Sequence, residues 1–420
     1  MPRTTTLIIG AGQAGLAMSR CLTALGIAHL VVERGRVGER WRSHSWDTLR
    51  LLTPNWMTRL PGFRYDGPDP DGFMSIPELI ALLERYAASV RAPVLDETMV
   101  ERVERRGGRF QVTTSRGVWS AESVVIATGY SDVPAVPASS ARLAPAVAQI
   151  VPGDYRRPEH LPHGGVLVVG ASSTGVQLAD EIQRSGRPVT LAVGRHTRLP
   201  RSYRGRDILW WLDRLGVLSQ PAQAVHSLEV SRHQPSLQLV GRADHSSLDV
   251  GLLQAAGVRL TGRLIGVDGT RVGVAGDLIA TMASADIKMA EVLTRIDAFI
   301  AKSGTDAAES EPFRPTWPLA MRARSGVLDL KADGINTVIW ATGYRRAYPW
   351  LHAPVLDARG EIVHDEGVTP VPGLYVLGLN FQRRRNSSFI DGVGADAWSL
   401  ARHIAQSVVL AHGPSQARVA

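Results

Sequence analysis

Two runs have residue types and spacing suited to holding phosphate groups: Gly10-Ala11-Gly12-Gln13-Ala14-Gly15 and Gly170-Ala171-Ser172-Ser173-Thr174-Gly175. Each follows an apolar run and opens an amphipathic one. In such a turn the first glycine permits a tight reversal. The second lets the backbone approach a pyrophosphate, and the third lets helix and strand pack closely. The helix that begins there offers unpaired N–H groups and partial positive charge to an anion. After the first copy, Glu33 closes the next apolar run and Arg34 follows it. A carboxylate at that spacing accepts hydrogen bonds from a ribose.

The second copy departs twice. Ser172 stands where the middle glycine is usual, though a small side chain still allows a close approach. The next apolar run ends in Gly194-Arg195-His196 and not in an acid. A carboxylate there would repel a 2′-phosphate, whereas a guanidinium pairs with it. This site is therefore expected to take NADPH in preference to NADH, with His196, Arg198 and Arg201 close by to help. Two dinucleotide sites in one chain need two different dinucleotides. The first, with its acid, suits FAD, and hydride then passes from nicotinamide to flavin.

The positioning elements are legible in the pattern. A strand is expected over Thr6–Ile9, followed by a helix with Ala14, Met18, Cys21 and Leu25 on one face and Gly26 at its end. His29–Val32 is the next strand. The second copy repeats this with a strand at Gly165–Val169, a helix at Val176–Arg184 and a strand at Pro188–Val193. Val124-Val-Ile-Ala127-Thr128-Gly129-Tyr130 matches Val338-Ile-Trp-Ala-Thr342-Gly343-Tyr344. One lies before the second glycine turn and one after it, which indicates nesting. The expected fold is α/β, with two Rossmann-like dinucleotide-binding domains, the NADPH domain inserted into the FAD domain. The boundaries read as 1–132 and 336–420 for FAD, 133–163 for a proline-rich linker, and 164–335 for NADPH. Ile279–Lys302 reads as an amphipathic helix with Met289, Leu293, Ile296 and Ile300 in line. Ser303–Pro318 reads as a polar loop.

Composition limits the alternatives. The chain has 420 residues, 44% hydrophobic and 20% charged, the balance of an ordinary soluble globular protein. No stretch approaches the 18 or so apolar residues of a membrane span, and no leader is read, so the expected compartment is cytoplasm. The net charge of +8 is carried almost wholly by arginine and is dispersed, unlike the one-sided basic face of a nucleic-acid binder. The single cysteine, Cys21, excludes a disulfide framework and a Cys-x-x-Cys redox pair. It falls on the buried helix face as a structural thiol. His160 and His163 sit in the proline-rich stretch, and no metal site is expected. Trp210, Trp211 and Trp317 are open to two readings, core or pocket. In a pocket they would favour an apolar or aromatic substrate. A homodimer is compatible with the sequence.

The sequence resembles the two-dinucleotide-binding flavoproteins and, within them, the flavin-containing monooxygenases and their YUCCA-like relatives. The resemblance spans nearly the whole length. It rests on both glycine turns, Gly38-Glu-Arg40-Trp41, Trp46-Asp-Thr-Leu-Arg-Leu51, both Ala-Thr-Gly segments and Gly373-Leu-Tyr-Val-Leu-Gly378. It implies that Arg40 and Trp41 approach the flavin and that the backbone of Val100 meets the adenine. It also implies that Asp391-Gly392-Val-Gly394 opens a helix toward the flavin's pyrimidine edge. Gln13, Ala14 and Ala127-Thr128-Gly129 complete the expected FAD set, and Thr342-Gly343 the NADPH set. The implied reaction is reduction of FAD by NADPH and transfer of one oxygen from O₂, through an adduct at flavin C4a, to a nitrogen, sulfur or carbonyl of a small substrate. Two departures bear on that reaction. The family fingerprint Phe-x-Gly-x-x-x-His-x-x-x-Tyr/Phe is reduced to Pro145, Val147, Val151 and Tyr155. The usual oxygen-adduct Asn is replaced by Leu52, beside Thr53. Thr53 and Tyr155 remain as catalytic candidates. An NADPH:acceptor dehydrogenase without oxygen insertion is the alternative, and a non-catalytic redox-sensing flavoprotein the third reading.

Overall fold

The computed structural model describes residues 1–305 and 326–412. Its first strand, Arg3–Ile9 (β1), is a run of threonine and isoleucine whose branched side chains favour extended backbone. It leads through the first glycine turn into helix Gln13–Ala24 (α1). Gly26, at φ +69°, closes that helix. There Gly26 N–H donates to the Thr23 carbonyl and Ile27 N–H to the Leu22 carbonyl, a Schellman cap. His29–Val32 (β2) then pairs parallel to β1. On the other side of β1 lies the long strand Gly117–Ile126 (β3). Its first half pairs antiparallel with residues 110–114, and its end pairs parallel with a strand that returns from far along the chain.

The second unit repeats the pattern. Gly165–Val169 (β4) leads into helix Ser173–Arg184 (α2) and strand Val189–Ala192 (β5). Its five-stranded sheet runs Ala148–Ile150, Ile335–Trp340 (β6), β4, β5, Arg259–Thr261, parallel throughout. Two segments sit elsewhere than the sequence suggested. Ala148–Ile150 falls within the expected linker 133–163, and β6 within the stretch expected to resume the first domain from 336. Both pair in the second sheet. The reason is symmetry: each glycine turn needs a flanking strand, so β6 is to β4 what β3 is to β1. The chain rejoins the first sheet with Leu351–His352 and Leu374–Val376 (β7), and the last described element, helix Val393–His412 (α3), packs over α1. The long helix expected at 279–302 spans Leu278–Ser303, with Met289, Leu293 and Ile296 buried and Ile300 packed at the edge of the same cluster.

Two clasps hold the units together. In one, Trp46 from the first unit is buried in the core of the second. Beside it Thr48 and Tyr155 both donate to the Glu181 carboxylate on α2, and Asp47 pairs with Arg157. The Arg156 guanidinium donates to the carbonyls of Ser43, Ser45, Gly153 and Tyr155. In the other clasp residues 218–222 of the inserted part pair with residues 383–386 of the returning chain. The Trp-Asp-Thr motif is thus a peg between units. Trp46→Ala should leave a cavity costing about 3–5 kcal/mol. That lowers the thermal midpoint by roughly 3–6 °C, as read by scanning calorimetry; an unchanged midpoint would contradict the peg.

Candidate dinucleotide-binding sites

Both glycine turns are built on the same close approach. A Cβ on Gly15 would stand 1.8 Å from the Gly10 carbonyl oxygen, and one on Gly175 would stand 1.8 Å from that of Gly170. Gly10 (φ +106°) and Gly170 (φ +108°) face the carbonyls of Ala127 and Ala341, where a Cβ would come within 2.6 and 2.4 Å. At Gly12, by contrast, a Cβ would meet nothing within 4 Å. Gly12 and Ser172 cap their helices without a side-chain hydrogen bond, and neither first turn carries an acid. Ser172 instead donates its hydroxyl to the Ser236 carbonyl, 3.1 Å away. Each turn therefore presents an open, positively polarised helix end. Both cradles fit a pyrophosphate.

Glu33 is nearly buried at the end of β2. Its carboxylate accepts from Ala11 N–H at 2.7 Å and Gly35 N–H at 3.1 Å, so it anchors the turn. Thr98 N–H donates to the Glu33 carbonyl and Glu97 N–H to that of Gly35, which brings Val100 to the same edge. Arg34 is exposed beside it, and Gln13 is half-buried at the start of α1.

The second cradle corrects the sequence reading. Ile9 pairs with Val32, and Val169 with Ala192. The counterpart of Glu33 is therefore Val193, fully buried, and Arg195 stands two residues further on. Arg195 is exposed and engages no partner among the described residues. The three expected helpers are committed elsewhere. His196 is buried with Nδ1 3.0 Å from the Gly194 carbonyl, and burial pulls its pKa down, so it is a neutral ring and not a cation. Arg198 pairs with Asp249 at 3.0 Å and Asp286 at 2.7 Å. Arg201, with no exposed surface, holds Asp207 and the Leu52 carbonyl and lies over the Phe73 ring. Of the remaining residues, Ser173 Oγ accepts from Gln177 at 3.1 Å, and Thr174 is half-buried in the first turn. Thr342 donates to the Ala135 carbonyl at 2.8 Å, and Gly343 turns at φ +90°.

Between the cradles, the Arg40 guanidinium lies 5.5 Å from the Tyr344 ring. Its Nη2 is buried without a partner, and desolvation holds its pKa below the usual guanidinium range. Trp41 packs on the first core. Thr128 and Gly129 (φ +79°) follow Ala127 at the end of β3. At the C-terminal return, Gly378 (φ +88°) passes α1 so closely that a Cβ would be 3.0 Å from Ala14. Gly392 is needed because a Cβ there would be 2.0 Å from the Asn386 carbonyl. The Asp391 carboxylate is taken up by Arg59 and Asn386, and Arg59 also reaches Asp213 at 3.5 Å. That leaves the backbone of the 391–392 turn, not the acid, for a ligand.

The catalytic candidates are not brought together. Tyr155 is 1% exposed with its hydroxyl on Glu181, a structural position, while Thr53 is half-buried beside Leu52. Val147 and Val151 pack into the second core, which accounts for the apolar residues at the fingerprint positions. Trp211 is core, its indole donating to the Tyr203 carbonyl, and Trp210 is wedged between Arg206 and Arg214. Trp317 lies outside the described residues. Burial pushes the Cys21 thiol up to about 12, so it is inert. Among the described residues there is no cluster of three or more potential metal ligands, and no helix is long and apolar enough to cross a membrane.

Comparison with known proteins agrees with this layout. Residues 7–212 match the pyridine nucleotide-disulphide oxidoreductase family. A CzcO-like oxidoreductase of Geobacillus kaustophilus is 32% identical over 95% of this chain and 97% of its own. This chain belongs to the CzcO-like oxidoreductases. Indole-3-pyruvate monooxygenase YUCCA1 of Oryza sativa subsp. japonica is 28% identical, covering 95% of this chain and 90% of its own. A flavin-containing monooxygenase from Stenotrophomonas maltophilia shares the fold, with TM-score 0.67, 19% identity, and 97% and 100% of the two chains covered. The oxidoreductase family uses flavin and nicotinamide cofactors, and the resemblance read from the motifs is borne out. Its single cysteine removes dithiol chemistry from this member.

Because nothing but open space faces Gly12, Gly12→Val should fold but lose flavin. The variant is expected to purify colourless with a thermal unfolding transition still present. Full flavin content would place the first cofactor elsewhere.

Proposed function

We propose that this oxidoreductase is an NADPH-dependent FAD monooxygenase acting on a nitrogen, sulfur or carbonyl of a small substrate. The observation that carries the reading is the pair of matched cradles, one backed by the Glu33 carboxylate and the other by no acid. FAD is assigned to the first, with Gly10, Gly12 and Gly15 giving backbone access and Glu33 accepting from the ribose. NADPH is assigned to the second, with Arg195 reaching the 2′-phosphate. A bound flavin supplies the redox chemistry, taking hydride from a nicotinamide and activating O₂. The chain's own work is binding, orientation and exclusion of water. Leu52, Trp56 and Phe389 pack at the edge of one apolar cluster where the first unit, the insertion and the C-terminal return meet. An apolar surface at that meeting point would suit an apolar or aromatic substrate, in keeping with the indole-3-pyruvate in the name of the rice relative.

Leu52 and Val151 favour the second reading, an NADPH:acceptor dehydrogenase, because each removes a polar group at a position where the resemblance implies one. Rapid mixing of the reduced protein with O₂ and NADP⁺ separates the two. A transient absorbance distinct from reduced and oxidised flavin is expected. Direct return to oxidised flavin, with fast reduction of a quinone, would establish the dehydrogenase.

Arg195→Ala tests the second cradle. A charge-assisted hydrogen bond is worth roughly 1.5–3 kcal/mol, on the order of 10- to 100-fold in affinity. With His196, Arg198 and Arg201 committed elsewhere, KM for NADPH should rise by that factor. KM for NADH and flavin content should barely move. Equal weakening of both nucleotides would remove Arg195 from the site.

A further inference from the structure

The two glycine turns are fastened differently. In the first, Ala11 is held at both backbone groups: its N–H by Glu33 and its carbonyl by Gly38 N–H at 3.1 Å. In the second, Val193 replaces the acid, and no partner holds Ala171 N–H among the described residues. The Ala171 carbonyl is instead held at 2.6 Å by the side-chain amide of Gln238, which comes from the insertion 67 residues away. A carbonyl acceptor fixes that end of the side chain as nitrogen. Gln238 has no exposed surface, and its Oε1 has no partner. It lies beside Arg198 in the short parallel pair Thr197–Arg198 with Leu237–Gln238, three residues beyond Arg195. Ser236, two residues earlier, receives the Ser172 hydroxyl. The 236–238 segment thus lies along the second turn and joins it to the segment that reads the ribose.

We infer that Gln238 is a specificity-determining residue of the second cradle: it fastens the turn without negative charge, leaving the ribose edge open to a 2′-phosphate. A buried carboxylate at that place would repel the phosphate dianion in a medium that screens poorly. The inference rests on the reading of the second cradle as the NADPH site, and goes beyond it by assigning selectivity to a residue outside both glycine motifs.

The test is equilibrium binding of NADP⁺ and NAD⁺ to the FAD-loaded protein, with wild type, Gln238→Glu and Gln238→Met compared. Glutamate keeps the length of the side chain but has no donor for the Ala171 carbonyl; because the flavin cradle lies in the other unit, Gln238→Glu should fold and keep its flavin. Its NADP⁺ Kd should rise about tenfold or more beyond any change in its NAD⁺ Kd. Gln238→Met loses the tie but adds no charge; both nucleotides should weaken by the same factor, with the wild-type NADP⁺/NAD⁺ ratio kept. The inference is overturned if Gln238→Glu leaves the ratio unchanged, if Gln238→Met shifts it as far, or if Gln238→Glu fails to fold. A wild type that binds neither nucleotide would instead overturn the reading of the second cradle itself.

Discussion

A methyl group on Gly15 or Gly175 would collide with the carbonyl that ends the preceding strand, 1.8 Å away in both units. That steric limit sets the rest. It lets each helix begin directly on the strand end, so its first N–H groups point into the space above the sheet and not into protein. It also forces Gly10 and Gly170 to positive φ, against the carbonyls of Ala127 and Ala341. The flanking strands β3 and β6 therefore belong to the cradles as much as the glycines do. The repeated Ala-Thr-Gly-Tyr sequence records one local geometry built twice.

Two cradles serve one reaction only if they keep a fixed relation. Trp46 and the Thr48–Glu181–Tyr155 cluster fix one side, and the pairing of 218–222 with 383–386 fixes the other. Residues that a motif search reads as functional are spent on structure. Tyr155, the last remnant of a fingerprint, holds a helix, and Asp391 anchors Arg59. Arg40, stacked on Tyr344 between the cradles, keeps a buried nitrogen unspent.

What the sequence made legible was local. Strand, turn, helix and cap follow from periodicity and from glycine within a few residues, and the helix at 278–303 was readable from Met289, Leu293 and Ile296 alone. What depends on distant partners was not. Nothing near Arg198 or Arg201 tells that Asp249, Asp286 and the Leu52 carbonyl occupy them. The two-residue offset between Val193 and Arg195 appears only in the strand register. Strand 335–340 looked like a return to the first unit because its sequence matches 124–126, but the match reflects an equivalent place in the second. Gln238 carries no motif at all; only the fold brings it to Ala171.

The central claim, that one cradle holds a flavin and the other a nicotinamide nucleotide able to reduce it, is tested most directly by anaerobic titration of the purified protein with NADPH. The expected result is a yellow protein whose flavin absorbance bleaches with a stoichiometric amount of NADPH and far more slowly with NADH. A bound flavin that dithionite reduces and NADPH does not would contradict it.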